Sequence, residues 1–273
     1  MSDEVNKKAV NNREDFKKIL IVRMSSLGDV LFALPSLEAL RLAYPKAHIA
    51  WIVEDRCAGV LENHPLIDEV IVVPRRQWRA TQSEGGGRLA ALGSAWRFFR
   101  ELRKRQFDLS IDFQANIKSG MATLFARAPV RLGFARSECR EPNWLFTNRR
   151  LDLDGRAMHR VDRDLELLSL IGVPSTFTQP TLAIRPADVA AAKDFVGSLG
   201  GEGPIVMLQP GTSSWGRNKR WSLESFAALG NRLAEQHHAR VIVNWGNDEE
   251  REQASRVIQL MQAVAHPAMP THH

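Results

Sequence analysis

The stretch that decides the fold runs from Ile19 to Leu31 and reads ILIVRMSSLGDVL. Its apolar first part is typical of a buried β-strand, and the small-residue turn that contains Gly28 opens into a helical pattern. Asp29 falls at the predicted start of that helix, where unpaired backbone N–H groups tolerate a short carboxylate. Because open α/β sheets place their chemistry at the carboxyl ends of their strands, Asp29 is either a helix cap or a functional carboxylate.

Strand-like runs alternate with helical patterns along the rest of the chain, which predicts parallel sheets. A Pro-containing linker that ends at about Pro186 separates two such series, and Pro35 should bend the first long helix because it lacks an N–H. We therefore expect an α/β protein with a flexible segment 1–17, a first doubly wound domain 18–180 and a second one 186–273. The predicted strands lie near 18–23, 48–53, 69–73, 107–113, 130–134, 204–209 and 239–244, and the helices near 29–43, 88–105, 116–126, 157–171, 222–237 and 247–262.

Composition excludes several classes of protein. No run of about eighteen apolar residues occurs, and the N-terminus lacks the apolar core of a signal peptide, so we expect a soluble cytoplasmic chain. The two cysteines of the 273 residues predict neither a disulfide framework nor a metal site. The net charge of +6 is concentrated between Arg75 and Arg105, where nine Lys or Arg residues face two acids.

That basic segment contains an amphipathic helical pattern in which Leu89, Leu92, Trp96, Phe99 and Leu102 recur at helical spacing. A basic amphipathic helix indicates an anionic partner or a membrane surface, and a core-facing helix with a solvated charged face is the simpler alternative. The preceding basic loop suits an acidic, phosphorylated acceptor better than a nucleic acid, and no nucleic-acid-binding motif occurs.

Several short motifs follow one another in an order that carries more information than any one of them. They resemble the ADP-heptose:lipopolysaccharide heptosyltransferases of glycosyltransferase family nine, and most nearly the type I enzymes, from about Lys18 to about Arg256. The segments are SSLGDVLFALPSL (25–37), WIVE (51–54), RRQWR (75–79), DFQ (112–114), IKS (117–119), REP (140–142), PGT (210–212), KRW (219–221), WG (245–246) and EE (249–250).

The resemblance implies the GT-B fold, in which two Rossmann-like domains face each other across a cleft, with the acceptor domain first and the nucleotide-sugar domain second. The family's Asp-Ser/Thr-Gly-Pro-x-His-Leu segment, which holds the diphosphate at a helix start, does not occur in this sequence. We therefore expect the second domain to be incomplete through C-terminal truncation, and nucleotide binding to be weak.

Glycosyl transfer with inversion needs a base for the acceptor hydroxyl and cationic or N–H groups for the departing diphosphate. The resemblance assigns the base to Asp29, and Lys219 is the best candidate for the diphosphate, although a lysine in a surface loop is an equal alternative. Thr212 and Ser213 are the other predicted contacts of the nucleotide sugar. Glu249 or Glu250 is expected to meet the ribose, with Glu249 preferred, although either could simply be a favourable charge in the first turn of a helix.

The acceptor side is predicted to use small residues of the first turn and a set of polar or cationic side chains. They are Ser25, Ser26, Gly28, Arg56, Arg75, Arg76, Gln114, Lys118 and Arg140. No metal or other cofactor is expected. The pair Asp152 and Asp154 has no supporting His or Cys cluster, and Asp162 and Asp164 lie on a predicted helix, where positions i and i+2 point apart.

The sequence thus favours an inverting transferase that moves heptose from ADP-heptose to 3-deoxy-manno-octulosonate (Kdo) of lipid A in the lipopolysaccharide inner core. We expect a monomer that contacts the anionic inner face of the inner membrane and no nucleic acid. One alternative is a truncated, non-catalytic remnant that binds acceptor or membrane but does not transfer. A dinucleotide-binding oxidoreductase is disfavoured because no Gly-x-Gly-x-x-Gly turn follows a strand.

Overall fold

The computed structural model describes residues 14–75, 87–212, 214–261 and 265–267. Side chains are not described for residues 87–92, 214, 215, 217 and 265–267. The chain divides into two compact units, Met1–Ala183 and Ile184–His273, and each has its own parallel sheet. In the described part of the chain, no helix has both the length and the apolar content needed to cross a membrane.

The first unit contains a six-stranded parallel sheet. Its strands are β1 (Lys18–Val22), β2 (His48–Glu54), β3 (Glu69–Val73), β4 (Leu109–Asp112), β5 (Val130–Phe134) and β6 (Arg149–Leu151). They lie in the order β3-β2-β1-β4-β5-β6, which is the Rossmann order. Because the chain crosses back between β3 and β4, the switch point of the sheet lies between β1 and β4.

Helices cover both faces of this sheet. They are α1 (Leu27–Phe32), α2 (Leu34–Ala43), α3 (Gly87–Lys104), α4 (Ile117–Ala126) and α5 (Arg160–Leu167). Ile19 and Ile21 of β1 pack into the core beneath α1, α2 and α5, whereas Leu20 and Val22 pack on the other face with residues of α3 and α4. The four apolar side chains of β1, Ile19 to Val22, are fully buried, which explains the unbroken apolar run in the sequence.

The predicted first long helix is interrupted, as its proline requires. Helix α1 ends at Phe32, Ala33 caps both helices, and Pro35 lies in the first turn of α2, where no intrahelical N–H is needed. Strand β6 was not predicted from the sequence, because its three residues, two of them arginines, show no apolar alternation.

The second unit contains the parallel strands β7 (Ile205–Leu208), β8 (Arg240–Val243) and β9 (Ala265–Pro267), in that order. Its helices are α6 (Pro186–Ser198), α7 (Leu223–His237) and α8 (Asp248–Leu260), and the core lies between β7, β8, α7 and α8. Helix α6 and strand β9 were not predicted. Helix α6 buries no residue, so it lacks the apolar face that makes a helix recognisable, and β9 is too short to show a pattern.

Candidate active site

The carboxyl ends of β1 and β4 are joined directly at the switch point of the first sheet. The backbone N–H of Met24, just beyond β1, donates to Gln114 Oε1, just beyond β4, at 2.7 Å. This hydrogen bond holds the half-buried side chain of Gln114 at the same sheet edge as Asp29. Ligands of open α/β sheets bind at this position.

Asp29 lies in the first turn of α1, where Ser26 and not Asp29 is the N-cap residue, and its carboxylate takes part in a capping box and in two ion pairs. Its Oδ2 accepts hydrogen bonds from the N–H and the hydroxyl of Ser26, at 3.2 and 3.0 Å, which completes a capping box. Its Oδ1 lies 3.0 Å from Arg23 Nη2 and 3.3 Å from Arg160 Nη1. The side chain is still 27% exposed, so it is both oriented and accessible. The reading of Asp29 as the N-cap residue is therefore wrong, and its role as a functional carboxylate stays a prediction.

Arg23 is the residue of this site that the sequence interpretation missed. Only 1% of it is exposed, it donates to the carbonyl of Phe113, and its own carbonyl accepts from Trp51 Nε1 at 3.0 Å. A buried guanidinium needs a carboxylate partner, and Asp29 supplies one. The available signal was a charged residue at the end of an apolar strand, immediately before the polar turn.

Burial by itself would raise the pKa of Asp29. The positive charge of Arg23, the Ser26 N–H and Arg160 together outweigh that desolvation and hold the pKa below the ordinary aspartate range. Asp29 is therefore ionised at neutral pH.

A second carboxyl group, that of Asp164, is buried close enough to Arg23 and Asp29 to feel their charges. Asp164 of α5 is fully buried, and within the described part of the chain neither of its carboxylate oxygens has a hydrogen-bond partner. Burial raises its pKa to about 7, and the positive charges of Arg23, Arg163 and Arg160 only partly oppose that shift. Asp162 on the same helix is exposed, so the two aspartates do point apart. No group of three or more potential metal-binding side chains occurs among the described residues.

Two of the predicted acceptor arginines share one partner. Glu54, at the end of β2 and with its side chain only 4% exposed, pairs with Arg56 Nε at 3.1 Å and also with Arg75. Arg75 is thus held by a buried carboxylate, whereas 63% of Arg56 faces solvent. The Glu54 N–H donates to the carbonyl of Met24 at 2.9 Å, which ties this pair to the end of β1.

The remaining acceptor candidates are less constrained. Ser25 is half-buried, whereas Ser26, Gly28, Lys118 and Arg140 are exposed. A Cβ built on Gly28 meets no atom within 4 Å, so neither packing nor a left-handed backbone requires glycine there. Arg76 lies outside the described residues.

In the second unit, Arg220 organises the residues at the carboxyl ends of β7 and β8. Its Nε donates to Thr212 Oγ1 at 3.0 Å, and its Nη1 lies 3.7 Å from Glu249 Oε1 at the start of α8. The sequence interpretation assigned Arg220 no role, although it lies in the same motif as Lys219, which is exposed at the end of the short helix Ser214–Lys219. Arg220 thus joins two of the residues predicted to contact the nucleotide sugar.

Glu250 has a different environment from Glu249. Its Oε2 accepts from the N–H of Gly246 at 2.9 Å, and a Cβ on Gly211 would come within 2.5 Å of its carboxyl carbon. Glu250 therefore stabilises the turn after β8, whereas the side chain of Glu249 is 56% exposed. Ser213 lies outside the described residues.

Comparison with known proteins gives one family. Residues 95–269 match the model of glycosyltransferase family 9 (heptosyltransferase). The chain is 30% identical over 247 residues to lipopolysaccharide heptosyltransferase 1 of Escherichia coli O18:K1:H7, a match that covers 89% of this chain and 71% of that one. It is 27% identical over 226 residues to the lipopolysaccharide core heptosyltransferase OpsX of Haemophilus influenzae, covering 83% of this chain. The chain spans only 59% of the length of that relative.

A solved structure shows the same architecture. The E. coli heptosyltransferase WaaC with ADP-2-deoxy-2-fluoro heptose superposes with a TM-score of 0.69 at 27% identity, over 93% of this chain and 76% of that one. The predicted α/β class and GT-B fold are thereby confirmed.

Proposed function

The chain belongs to glycosyltransferase family 9, as its sequence motifs predicted, and from that premise we propose that it transfers heptose to the inner core of lipopolysaccharide. The observation that carries the proposal is the partly exposed, ionised carboxylate of Asp29 beside the switch point of a Rossmann-ordered sheet. ADP-heptose is the proposed donor, because the solved relative was crystallised with a fluorinated analogue of that nucleotide sugar.

In the proposed reaction, Asp29 accepts the proton of an acceptor hydroxyl while that oxygen bonds to the anomeric carbon of the heptose. The bond between that carbon and the diphosphate oxygen breaks, the electron pair leaves with ADP, and the configuration inverts. Arg23 and Ser26 hold the carboxylate in one orientation, which favours proton transfer along a fixed direction. Because the pKa of Asp29 is lowered, we expect the acid limb of the rate profile below the ordinary aspartate range.

The donor would bind the second unit. The exposed Lys219 is proposed to stabilise the diphosphate, with Thr212 as a hydroxyl donor and Glu249 as acceptor for the ribose hydroxyls. Arg220 keeps Thr212 and Glu249 in place, so its role in this proposal is to position them. Ser213 remains a sequence-based candidate for the same site.

The proposed acceptor is the Kdo residue of lipid A. Kdo carries a carboxylate, and the cations Arg56, Arg75, Lys118 and Arg140 belong to the unit that contains Asp29. Such an acceptor is held in a membrane, and we propose that the protein works at the cytoplasmic face of that membrane.

A transfer assay with ADP-heptose and Kdo–lipid A tests the proposal. Asp29→Asn should lower turnover by about 10²–10⁴-fold, because a positioned base contributes a factor of that size and its loss leaves no substitute. Asp162→Asn, an exposed aspartate of α5, is the matched control. Since Asp29→Asn also leaves buried Arg23 without its carboxylate, both variants are assayed well below their unfolding temperatures.

Near-normal turnover by Asp29→Asn would remove Asp29 from the base role. Binding of Kdo–lipid A without turnover by the parent chain would instead favour the non-catalytic alternative.

A further inference from the structure

Helices α3 and α4 present a surface that the proposed reaction does not use. Large apolar side chains on it are exposed, by 61% at Trp96, 39% at Met121, 43% at Leu124 and 36% at Phe125. The sequence left open whether the apolar stripe of α3 that contains Trp96 faces the core or an anionic surface. Among the α3 residues with described side chains, Leu102 is buried in the core, whereas Trp96 lies outside it.

These side chains form one continuous surface across the two helices. Trp96, Phe99, Arg100 and Arg103 follow the spacing of one helix face, as do Ile117, Met121, Leu124 and Phe125. The rings of Phe99 and Phe125 stack with centroids 4.7 Å apart, which joins the two stripes. We call these eight residues, together with Arg127, the α3–α4 face.

The charge of the α3–α4 face is positive. Arg100 lies over the Trp96 ring at 5.3 Å, and the exposed Arg103 and Arg127 line a pocket with Leu124 and Phe125. Among the described side chains of α3, Glu101 is the one acid; it accepts from Lys104 at 2.8 Å and lies 3.9 Å from Arg100 Nε, and α4 contains no acid. Two other cations of the basic segment are neutralised, Arg75 by Glu54 and Arg105 by Glu69. The described part of α3 thus has one acid against the cations Arg97, Arg100, Arg103 and Lys104, so its net charge beside the exposed apolar side chains is positive.

We propose that the α3–α4 face docks on an anionic lipid bilayer, with both helices lying in the plane of the interface. Apolar side chains then enter the boundary between headgroups and acyl chains, while the long arginine side chains reach the lipid phosphates. Tryptophan prefers this boundary region. A symmetric dimer through the same face would bring the arginines of two copies together, which is unfavourable.

The position of the α3–α4 face also suits the proposed function. The link drawn here between docking and acceptor binding rests on that proposed function. Ile117 begins α4 just after Gln114, at the sheet edge where Asp29 lies. The α3–α4 face thus starts at the carboxyl edge of the sheet, and docking would bring that edge to a membrane-borne acceptor. The docking itself requires neither donor nor transfer, so it can fail or succeed independently of the proposed activity.

Co-sedimentation of the full chain with vesicles tests the proposal. We expect binding to vesicles that contain phosphatidylglycerol and phosphatidylcholine, much weaker binding to phosphatidylcholine alone, and loss of binding at high salt. Arg100→Gln with Arg103→Gln should weaken binding to the anionic vesicles by roughly tenfold or more. Met121→Ser with Leu124→Ser should weaken it by a similar factor, because apolar area no longer leaves water on docking.

Matched controls remove the same groups elsewhere. Lys193→Gln with Arg232→Gln deletes two exposed cations of the second unit, and Leu42→Ser deletes an exposed leucine of α2. Both controls should bind vesicles like the parent, and all variants should keep the parent's unfolding midpoint because every altered side chain is exposed. The proposal is overturned if the α3–α4 variants bind vesicles like the parent, if the controls lose binding equally, or if Met121→Ser with Leu124→Ser instead dissociates a dimer.

Discussion

At the scale of single residues, Arg23 explains why an ordinary capping-box residue becomes a functional candidate. The carboxylate of Asp29 is held on one side by a buried guanidinium and on the other by hydrogen bonds from the N-cap residue Ser26. The same cation lies near Asp164, which has no hydrogen-bond partner among the described residues. The buried charge of Arg23 therefore acts on two carboxyl groups. Asp29 is partly exposed and its pKa is lowered, whereas Asp164 is buried and its pKa is raised.

Asp164→Asn should change how stability depends on pH. The folded pKa of about 7 exceeds the unfolded value, so between about pH 4 and 7 the folded state holds a proton that the unfolded chain has lost. The free energy of unfolding therefore falls as pH rises through that window. The asparagine variant avoids this loss and should be more stable than the parent by up to roughly 4 kcal/mol at pH 8, with little difference at pH 4. Denaturant unfolding across this range measures it.

Asp162→Asn is the control for that experiment, because it removes an exposed carboxylate from the same helix. It should leave the pH dependence of the parent unchanged. Parallel curves for the parent and Asp164→Asn would show that Asp164 is ionised in the folded protein at all pH values tested.

Gly28→Ala should separate stability from acceptor binding. Since a Cβ at this position meets nothing in the protein, alanine should stabilise helix α1 by about 0.5–1 kcal/mol. If the acceptor approaches the backbone here, as the sequence predicts for Gly28, the same methyl group should raise the KM for acceptor several-fold. Gly197→Ala in α6, where a Cβ also meets nothing, should stabilise without changing KM. An unchanged KM for Gly28→Ala would remove Gly28 from the acceptor site.

At the scale of elements, each candidate site is held by a side chain that joins the ends of neighbouring strands or the loops that follow them. The side chain of Gln114 ties the segment after β4 to Met24, just beyond β1, and the backbone N–H of Glu54 ties the end of β2 to the same residue. In the second unit, Arg220 joins the loop after β7 to the first turn of α8. Parallel strands bring these ends to one edge, and a few long polar side chains then fix the loops.

Arg220→Ala should therefore weaken ADP binding although Arg220 itself is not proposed to contact the nucleotide. Arg220→Ala removes one hydrogen bond to the Thr212 side chain and one ion pair to Glu249, so both side chains lose a restraint, and we expect roughly a tenfold lower affinity by calorimetry, since a charged hydrogen bond contributes about 1.5–3 kcal/mol. Arg251→Ala is the control, because Arg251 lies on α8 as Glu249 does, but its guanidinium lies 5.5 Å from the centre of the Trp245 ring. Equal affinities for the two variants would contradict a positioning role for Arg220.

At the scale of the whole molecule, the two units have separate cores, and the core of the second unit buries fewer apolar residues than that of the first. The second core contains eight buried apolar residues among those described, and helix α6 adds none. Ile205 and Met207 of β7 remain 39% and 61% exposed. The first unit buries both faces of its sheet under helices. Because hydrophobic stabilisation scales with buried apolar area, the second unit should be the less stable one.

Calorimetry should accordingly show two unfolding transitions, with the lower one belonging to Ile184–His273. Val243→Ala, in the core of the second unit, should lower only the transition at lower temperature. Ile21→Ala, in the core of the first unit, should lower only the transition at higher temperature. Each substitution should reduce the free energy of unfolding of its own unit by roughly 2 kcal/mol or more. Both side chains are fully buried. A single transition that both substitutions shift equally would show that the units unfold together.

The sequence by itself determined the elements and the class of fold. Apolar runs with strand or helix periodicity predicted β1 to β5, the interruption at Pro35 and the alternation that makes the sheets parallel, because these features depend on neighbours within a few residues. Elements without a periodic pattern, namely α6, β6 and β9, could not be recognised in this way. The family motifs added the candidate residues, of which Asp29, Lys219 and Glu249 remain proposals for the chemistry.

Only the tertiary structure decided which charges meet. The sequence places Arg23 at a strand end, Glu54 at another and Asp164 on a distant helix, but a local pattern does not specify partners far apart in the chain. In the folded protein Arg23 pairs with Asp29 and Arg75 pairs with Glu54, whereas Arg103 stays exposed beside Leu124. The physical reason is that burying a charge is unfavourable unless a partner lies within reach, and which partner does so depends on the order of the strands.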